Sequence, residues 1–276
     1  MRVLFIGDIV GRPGRRAVGA LLPTLRSELS ADFVIANGEN AAGGMGITAD
    51  VTRELLAVGI DVITTGNHVW RNKGVREIID QEPRLLRPDN YPPGDPGAGT
   101  GLFPLPDGRR VGVLNLCGRT FMEPIDCPFQ AAEREVPVLR AETPVVVVDM
   151  HAEATSEKQA MAWMLDGQVS AVVGTHTHVE TADERVMPRG TGYITDVGMT
   201  GPERSVLGMN GDLIVTHFRS RMPVKFEVAE GRVALCAVAL EIDDRSGKAN
   251  EIHRIRRCVD ESADIEARAA RGGERG

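Results

Sequence analysis

Short runs of aliphatic residues alternate with amphipathic segments along this chain, and this alternation limits the possible fold more than any other feature. Apolar runs of this length are typical of strands that are covered on both faces. They predict strands at Val3–Ile6, Phe33–Ala36, Ile60–Thr64, Val111–Leu116, Val145–Val148 and Val169–Val173. Helical spacing of apolar residues predicts helices at Ala17–Leu29, Ala49–Val58, Asn72–Asp80 and Ser156–Leu165. Strands that alternate with helices predict an α/β fold.

Two of these helices carry capping signals at their first turn. Thr48 precedes the helix that starts at Ala49, and its hydroxyl can accept from the first free amides. Ser156 and Gln159 have the spacing of a capping box. We therefore expect helix starts at both places.

The rest of the chain favours a second sheet and gives no sign of a domain boundary. Tyr193–Ile242 is rich in strand-like segments and glycine-containing turns, which predicts a four-layer α/β/β/α sandwich. Pro83–Pro106 is rich in Pro and Gly without a period, so we expect a long surface excursion there. Met122–Glu133 is predicted to be irregular and then partly helical. We expect one domain over residues 1–276, with a charged, frayed tail at residues 261–276.

The charge and hydropathy patterns exclude several classes of partner. A net charge of −7 argues against a surface for duplex nucleic acid, which needs clustered Lys and Arg. No run of 18 apolar residues is present, so no membrane span and no secretory leader are predicted. The four cysteines lack Cys-x-x-Cys spacing, which predicts free thiols in a reducing compartment. We therefore expect a cytoplasmic protein.

Polar residues that can bind metal ions follow five of the predicted strands. These strand ends read Gly7-Asp8, Gly38-Glu39-Asn40, Gly66-Asn67-His68, Asp149-Met150-His151 and Gly174-Thr175-His176-Thr177-His178. Functional residues of an open α/β sheet gather beyond the carboxyl ends of its strands. Residues far apart in the chain can therefore meet at one site.

The chemistry of these side chains predicts a metal centre. The candidate ligands are carboxylates, amides and imidazoles without a thiolate, namely Asp8, Glu39, Asn40, Asn67, His151, His176 and His178. Such donors suit Mn, Fe or Zn, with Fe or Mn favoured here, and they outnumber the ligands of one tetrahedral ion. We therefore expect two divalent ions. In extended backbone, His176 and His178 would point to the same side.

Each of these residues alone is weak support, and the joint pattern carries the prediction. An Asp after a first strand or a lone His in a loop is common in proteins without a metal. His217 and His253 do not follow predicted strands and are interpreted as structural or surface residues. Asp149 and Asp196 could each orient a histidine through its second nitrogen. A simple role in a turn explains these two aspartates equally well.

Taken together, the motifs GD, GEN, GNH, MHAE and GTHTHV resemble the calcineurin-like metallophosphoesterase superfamily. They are most similar to its bacterial YmdB-like branch, the 2′,3′-cyclic-nucleotide 2′-phosphodiesterase type, and the run Asp196–Pro202 also looks like that branch. The wider superfamily has His where Val10 stands and a bridging Asp where Glu39 stands. The YmdB-like branch shares both changes, which supports the narrower resemblance.

The resemblance implies a role for each candidate residue. One ion would take Asp8, Glu39, Asn40 and His178, and the other would take Glu39, Asn67, His151 and His176. Glu39 would bridge the ions, and His68 would be the general acid. The implied reaction is attack on phosphorus by a hydroxide held between the ions, while His68 protonates the leaving 2′ oxygen. A 2′,3′-cyclic nucleotide would then become a 3′-nucleotide.

Other functions fit the same residues. A phosphomonoesterase or nucleotidase, a diesterase for other substrates, or a phosphoprotein phosphatase could use an identical metal centre. A regulator that binds a nucleotide would show high affinity and little turnover. An interaction protein with a degenerate hydrolase fold is disfavoured, because every expected ligand position holds a competent donor. Strand edges in the second half also leave self-association into a homo-oligomer open.

Overall fold

The computed structural model describes residues 1–259 and contains two β-sheets with helices packed against them. The strands are β1 Arg2–Ile6, β2 Asp8–Ile9, β3 Phe33–Asn37, β4 Val62–Thr64, β5 Thr100–Pro104, β6 Arg110–Cys117, β7 Val146–His151, β8 Ala171–Thr175, β9 Arg185–Val186, β10 Gly192–Ile194, β11 Met199–Pro202, β12 Val233–Ile242 and β13 Ala249–Val259. The helices are α1 Gly11–Glu28, α2 Ala49–Ala57, α3 Val75–Ile78, α4 Pro128–Glu142, α5 Thr155–Leu165 and α6 Gly211–Ser220, with a 3₁₀ turn at Val69–Arg71.

Each sheet has a block of parallel strands. The first sheet has the order β2-β11-β12-β1-β3-β4, with β13 paired to β12, and β1, β3 and β4 run parallel. The second sheet has the order β5-β6-β7-β8-β10-β9, and β6, β7, β8 and β10 run parallel. The carboxyl ends of each parallel block therefore lie together at one edge of its sheet.

Side-chain alternation along the strands shows that the molecule has four layers. Phe5 of β1 and Val147 of β7 belong to one apolar core between the two sheets. Leu4 faces the other way and packs in a core with Leu22 of α1. Val148 likewise shares an outer core with Met161 of α5. The predicted α/β/β/α sandwich is confirmed.

Several predicted helix boundaries differ from those observed. The predicted start of α1 at Ala17 is wrong, because Gly11 adopts a φ of +59° and lets the helix begin directly after β2. The helix predicted at Asn72–Asp80 is reduced to α3. The Thr48 cap is confirmed, since its Oγ1 accepts from the Val51 amide at 3.2 Å. The prediction of a capping box at Ser156 and Gln159 is wrong, because α5 begins at Thr155 without a side-chain cap.

The prediction that Pro83–Pro106 is a surface excursion is wrong in part. Strand β5 lies within it and pairs antiparallel with β6. Leu85 and Leu86 are buried, and so is Arg87, whose guanidinium donates to backbone carbonyls including that of Pro88 at 2.8 Å. These hydrogen bonds give the buried guanidinium its acceptors. A segment without a periodic hydrophobic pattern can therefore lie in the interior.

Two other regions combine confirmed and corrected predictions. The partly helical segment predicted within Met122–Glu133 is the start of α4, which begins at Pro128 and continues to Glu142. The region from Tyr193 to Ile242 contains most of β10 and all of β11 and β12, as predicted, but also α6. All four cysteines are free thiols, as predicted.

No helix within residues 1–259 is long and apolar enough to span a membrane. The tail predicted to fray lies outside the described residues. One domain over residues 1–276, a cytoplasmic location and self-association all stay predictions.

Candidate metal centre

All eight predicted site residues lie at the carboxyl ends of the parallel strands. Asp8 follows β1, Glu39 and Asn40 follow β3, Asn67 and His68 follow β4, His151 ends β7, and His176 and His178 follow β8. Five of them help to line a cavity of about 270 Å³, namely Glu39, Asn40, His68, His176 and His178. The structure thus brings together the residues that were predicted to converge because they follow strands.

One group of donor atoms is centred on the His151 ring. The His151 Nε2 lies 3.0 Å from the His176 Nδ1, 3.1 Å from the Asn67 Oδ1 and 3.2 Å from the Glu39 Oε2. A single ring N–H cannot serve three acceptors well. Separations of about 3 Å are those expected between ligand atoms that each lie about 2.0–2.2 Å from one ion. Glu39, His151 and His176 therefore form a possible metal site.

A second group includes a buried carboxylate oxygen without a hydrogen bond. Among the described residues, the Asp8 Oδ1 is inaccessible and has no hydrogen-bond partner, and the His178 Nε2 lies 3.7 Å from it. The His178 Nε2 is also 3.3 Å from the Asn40 Nδ2. A buried, unpaired oxygen beside an imidazole nitrogen is costly without a cation, so this group also fits a metal ion.

Glu39 takes part in both groups. Its Oε2 is beside His151, while its Oε1 accepts from the Asn40 Nδ2 at 2.9 Å. The Glu39 side chain is almost completely buried. With one oxygen in each group, the Glu39 carboxylate is placed as a carboxylate that bridges two ions would need to be.

The orientation of the Asn40 amide does not match a ligand role. Its oxygen accepts from the His68 Nδ1 at 2.9 Å, and its nitrogen faces the Glu39 carboxylate. A metal ligand must present the amide oxygen, because the amide nitrogen has no available lone pair. The amide of Asn40 would have to turn over to bind an ion.

Burial and neighbouring charges shift the pKa values of the cluster in opposite directions. Burial opposes ionisation of Glu39, but the charge of His151 and hydrogen bonds from His151 and His68 lower its pKa well below the ordinary value. Burial raises the pKa of Asp8. Burial also works against a charged His151, yet Glu39 and Asp8 raise its pKa to about 9. Burial and the nearby His151 charge lower the pKa of His176 to about 3. An anionic Glu39 and a neutral His176 are suitable metal ligands.

The second nitrogen of each candidate ligand histidine has its own partner. The His151 Nδ1 contacts the Thr175 Oγ1 at 2.9 Å, and that hydroxyl donates to Asp149 at 2.7 Å. The His176 Nε2 lies 3.1 Å from the Glu153 Oε2, and the His178 Nδ1 lies 3.2 Å from the carbonyl oxygen of Leu207. These partners fix the ring orientations and direct the other nitrogens into the cluster.

The partners of the histidines correct one sequence interpretation. Asp149 acts on His151 through Thr175. Asp196 accepts from Lys158 and Thr177, and within residues 1–259 it makes no hydrogen bond to a histidine ring. Glu153 was missed, although it stands two residues after His151 in the MHAE motif. The Leu207 contact uses a backbone carbonyl, which leaves no signal in the sequence.

The His176–His178 segment is a turn, so the prediction of extended backbone is wrong. His176 has a φ of 99° and His178 a φ of 65°, in the region that residues with a Cβ usually avoid. Left-handed conformations cost about 1–2 kcal/mol per residue. The turn still brings both imidazoles to the cavity.

Gly66 permits the close packing behind the cluster. A Cβ at this position would lie 2.1 Å from the His151 Cδ2 and 2.4 Å from the Glu39 Oε2. No side chain fits there, so the glycine before Asn67 is required for the β4 end to approach the ligands.

His217 and His253 lie outside the cluster. His217 on α6 contacts the Met222 carbonyl oxygen, and His253 on β13 pairs with Glu251 at the surface. Their interpretation as structural or surface residues is confirmed.

Comparison with known proteins identifies the family. The model of the YmdB-like protein family matches residues 4–255. This chain is a member of the YmdB-like family. The 2′,3′-cyclic-nucleotide 2′-phosphodiesterase of Bacillus subtilis is 49% identical to it over 255 residues, which are 92% of this chain and 96% of that protein. The resemblance inferred from the five motifs is confirmed.

Solved structures related to this YmdB-like protein share its fold over nearly the whole chain. A Thermus thermophilus protein has a TM-score of 0.88 at 42% identity, covering 94% of this chain and 99% of its own. A protein from Mycoplasma pneumoniae, described as a novel phosphatase, has a TM-score of 0.89 at 33% identity and covers 96% of each chain. The fold is therefore that of the metallophosphoesterases, as predicted.

Proposed function

We propose that this YmdB-like protein is a metal-dependent phosphodiesterase that hydrolyses 2′,3′-cyclic nucleotides to 3′-nucleotides. The buried Asp8 Oδ1 without a hydrogen bond is the observation that carries the proposal, because it marks a position for a cation next to the His151 group. The name of the B. subtilis relative supports the substrate and the reaction.

The donor set favours two divalent ions, with Fe or Mn preferred to Zn. Asp8, Asn40 and His178 would hold one ion, Asn67, His151 and His176 the other, and Glu39 would bridge them. Four oxygen donors and three imidazoles suit Fe or Mn, which accept mixed oxygen and nitrogen ligation. When bound, the ions would supply Lewis acidity that activates water and stabilises charge on the phosphoryl oxygens.

His68 is placed to deliver a proton to the leaving oxygen. Its Nδ1 lies 3.3 Å from the Glu39 Oε1 and 2.9 Å from the Asn40 amide oxygen, a contact that the Asn40 amide nitrogen would take over when the amide turns to bind an ion. The imidazole lines the cavity and is partly exposed. The Nδ1 contacts leave the Nε2 for the substrate, and general acid catalysis needs such a positioned donor.

The proposed reaction conserves atoms and protons. The oxygen of a water molecule forms a bond to phosphorus, and the bond between phosphorus and the 2′ oxygen breaks. The 2′ oxygen takes a proton from His68, and the proton lost by water passes to solvent. The product carries a free 2′ hydroxyl and a 3′ phosphate.

A phosphomonoesterase function is the second candidate, and the likeness to the Mycoplasma pneumoniae phosphatase favours it. Both reactions need the same cations and proton donor. A nucleotide-binding regulator would have the same site with negligible turnover.

A substrate panel separates these functions. We expect the Mn²⁺-loaded protein to convert 2′,3′-cyclic AMP to 3′-AMP, identified by ³¹P NMR, faster than it hydrolyses 3′-AMP or a phosphoserine peptide. Faster release of phosphate from monoesters would contradict the diesterase. Tight binding of 2′,3′-cyclic AMP with no product would favour the regulator.

A further inference from the structure

A buried ion pair lies behind the turn that carries two of the proposed ligands. Lys158 of α5 and Asp196, which follows β10, are both completely buried, and the Lys158 Nζ lies 2.7 Å from the Asp196 Oδ2. Removing two charges from water costs free energy that their attraction does not reliably return. Apolar residues of similar volume would fill the same space, so packing alone does not explain the pair.

Two further contacts of the Asp196 carboxylate reach the His176–His178 turn. Its Oδ2 accepts from the backbone amide of Thr177 at 3.1 Å and from the Thr177 hydroxyl at 2.8 Å. Its Oδ1 accepts from the Gly198 amide at 2.8 Å. Thr177 lies between the two histidines, so the carboxylate binds the middle residue of the turn.

The turn has a conformation that needs external support. Both histidines adopt positive φ angles that residues with a Cβ rarely keep. Such conformations persist only where the surrounding structure holds them. Asp196 contributes two hydrogen bonds to the turn, and Lys158 holds the carboxylate that accepts them.

Gly174, at the end of β8, lets the ion pair approach the turn. A Cβ there would lie 1.8 Å from the Thr195 carbonyl oxygen and 2.9 Å from the Lys158 Cδ. The absence of a side chain therefore allows the Thr195–Asp196 backbone and the Lys158 stem to pack directly against the β8 end.

From these contacts we infer that Lys158 and Asp196 are positioning residues for the metal centre. The pair binds Thr177 and thereby holds His176 and His178 in the conformation that receives a cation. This role rests on the proposed function, because it requires the two histidines to be metal ligands.

The first test compares Mn²⁺ affinity by isothermal titration calorimetry, which needs no turnover. The double variant Lys158→Met/Asp196→Asn removes both charges and nearly preserves volume. We expect its Mn²⁺ affinity to fall about 10- to 100-fold, the usual effect of losing a partner that orients a ligand. Circular dichroism and cooperative thermal unfolding establish that the variant is folded.

A matched control removes an ion pair far from the turn. Arg109 and Asp32 lie 2.6 Å apart, next to the amino-terminal ends of β6 and β3, whereas the ligands follow strand carboxyl ends. The variant Arg109→Met/Asp32→Asn should keep the wild-type Mn²⁺ affinity. An equal loss in this control would show a general effect of removing charge and overturn the inference.

A milder pair of variants keeps the test decisive if the double variant does not fold. Thr177→Val removes only the hydroxyl donor, and Thr177→Ser retains it. We expect weaker Mn²⁺ binding in Thr177→Val and near-wild-type binding in Thr177→Ser. Wild-type affinity in Thr177→Val would overturn the positioning role while leaving the proposed function intact, and wild-type affinity in a folded double variant would overturn it as well. No Mn²⁺ binding by the wild-type chain would refute the metal centre and this inference together.

Discussion

Glu39 connects the two groups of donor atoms, so at the residue scale the proposed metal centre depends most on this side chain. Its Oε2 lies 3.2 Å from the His151 Nε2, and its Oε1 lies 2.9 Å from the Asn40 Nδ2. We predict that Glu39→Gln lowers bound metal and diesterase rate together, the rate by about 100-fold or more, because the bridging charge is lost. Elemental analysis and the rate on 2′,3′-cyclic AMP measure both effects. Full metal occupancy in this variant would reject the ligand role.

His68 should behave differently, because it is proposed to donate a proton and not to bind an ion. We predict that His68→Ala lowers the diesterase rate by about 10²- to 10⁴-fold while the metal content stays at the wild-type level. The metal-to-protein ratio of the same sample is the control. Loss of metal from this variant would instead identify His68 as a ligand.

Gly66→Ala tests the close packing behind the ligands. The added Cβ would collide with the His151 ring and the Glu39 carboxylate, so we predict a loss of metal affinity measured by calorimetry. The matched control is Gly19→Ala in α1, where a Cβ meets nothing within 4 Å. That variant should keep its metal affinity and gain about 0.5–1 kcal/mol of stability. Unchanged affinity in Gly66→Ala would contradict the packing argument.

At this scale the sequence predicted which residues converge but not how their rings are held. The ligand types and their positions after strands are visible in the chain. The contact of His178 with the Leu207 carbonyl depends on a turn 29 residues away, and the positive φ angles of the two histidines are tertiary features. Backbone partners and strained turns leave no pattern that spacing can reveal.

At the scale of elements, strands were easier to predict than helix ends. Apolar runs such as Val145–Val148 must be covered on both faces and therefore mark strands clearly. Helix ends depend on local backbone geometry instead. The early start of α1 follows from the positive φ of Gly11, and α5 begins without the predicted cap.

The Thr48 cap gives a prediction at the scale of one helix. Its hydroxyl accepts from the Val51 amide at the start of α2. We predict that Thr48→Ala lowers the free energy of unfolding by about 1 kcal/mol, because one amide loses its acceptor. Urea unfolding measures the loss, and Thr48→Ser is the control that retains the cap. A stability equal to wild type in Thr48→Ala would show that water replaces the cap at no cost.

At the scale of the whole molecule, two sheets bury a shared core and place their strand ends at one cavity. The layer number was predictable from strand content, but the strand order was not. β12, near the carboxyl end of the described chain, pairs with β1 between residues more than 200 positions apart. Such pairing is decided by the complete apolar surface of both sheets and not by local sequence.

A group of ion pairs connects three chain segments at the strand ends that lie away from the cavity. Arg109 contacts Asp32 at 2.6 Å and Asp244 at 3.2 Å. Partial burial opposes ionisation of Asp32, but hydrogen bonds from the Arg2 amide and from Arg109 outweigh it and lower the pKa of the carboxyl. A lowered pKa adds stability above the unfolded-state pKa of about 3.9, and this stability is lost as pH falls through the folded-state value.

Removing Arg109 should therefore have an effect that depends on pH. We predict that Arg109→Met lowers the free energy of unfolding by about 0.2–1 kcal/mol at pH 7, the range of solvent-exposed pairs. The difference from wild type should shrink below about pH 4, where Asp32 becomes protonated in the unfolded chain and then in the folded one. Urea unfolding at pH 7 and pH 3 measures it. An equal difference at both pH values would contradict an electrostatic origin.

The most direct test of the metal centre is reversible metal removal from the wild-type chain. Metal content and 2′,3′-cyclic AMP hydrolysis would be measured in the same sample before chelation, after chelation and after adding Mn²⁺ or Fe²⁺. We predict about two ions per chain, loss of hydrolysis with the ions and recovery with them, as expected where cations supply the Lewis acid. Full hydrolysis by the metal-free chain would contradict the account.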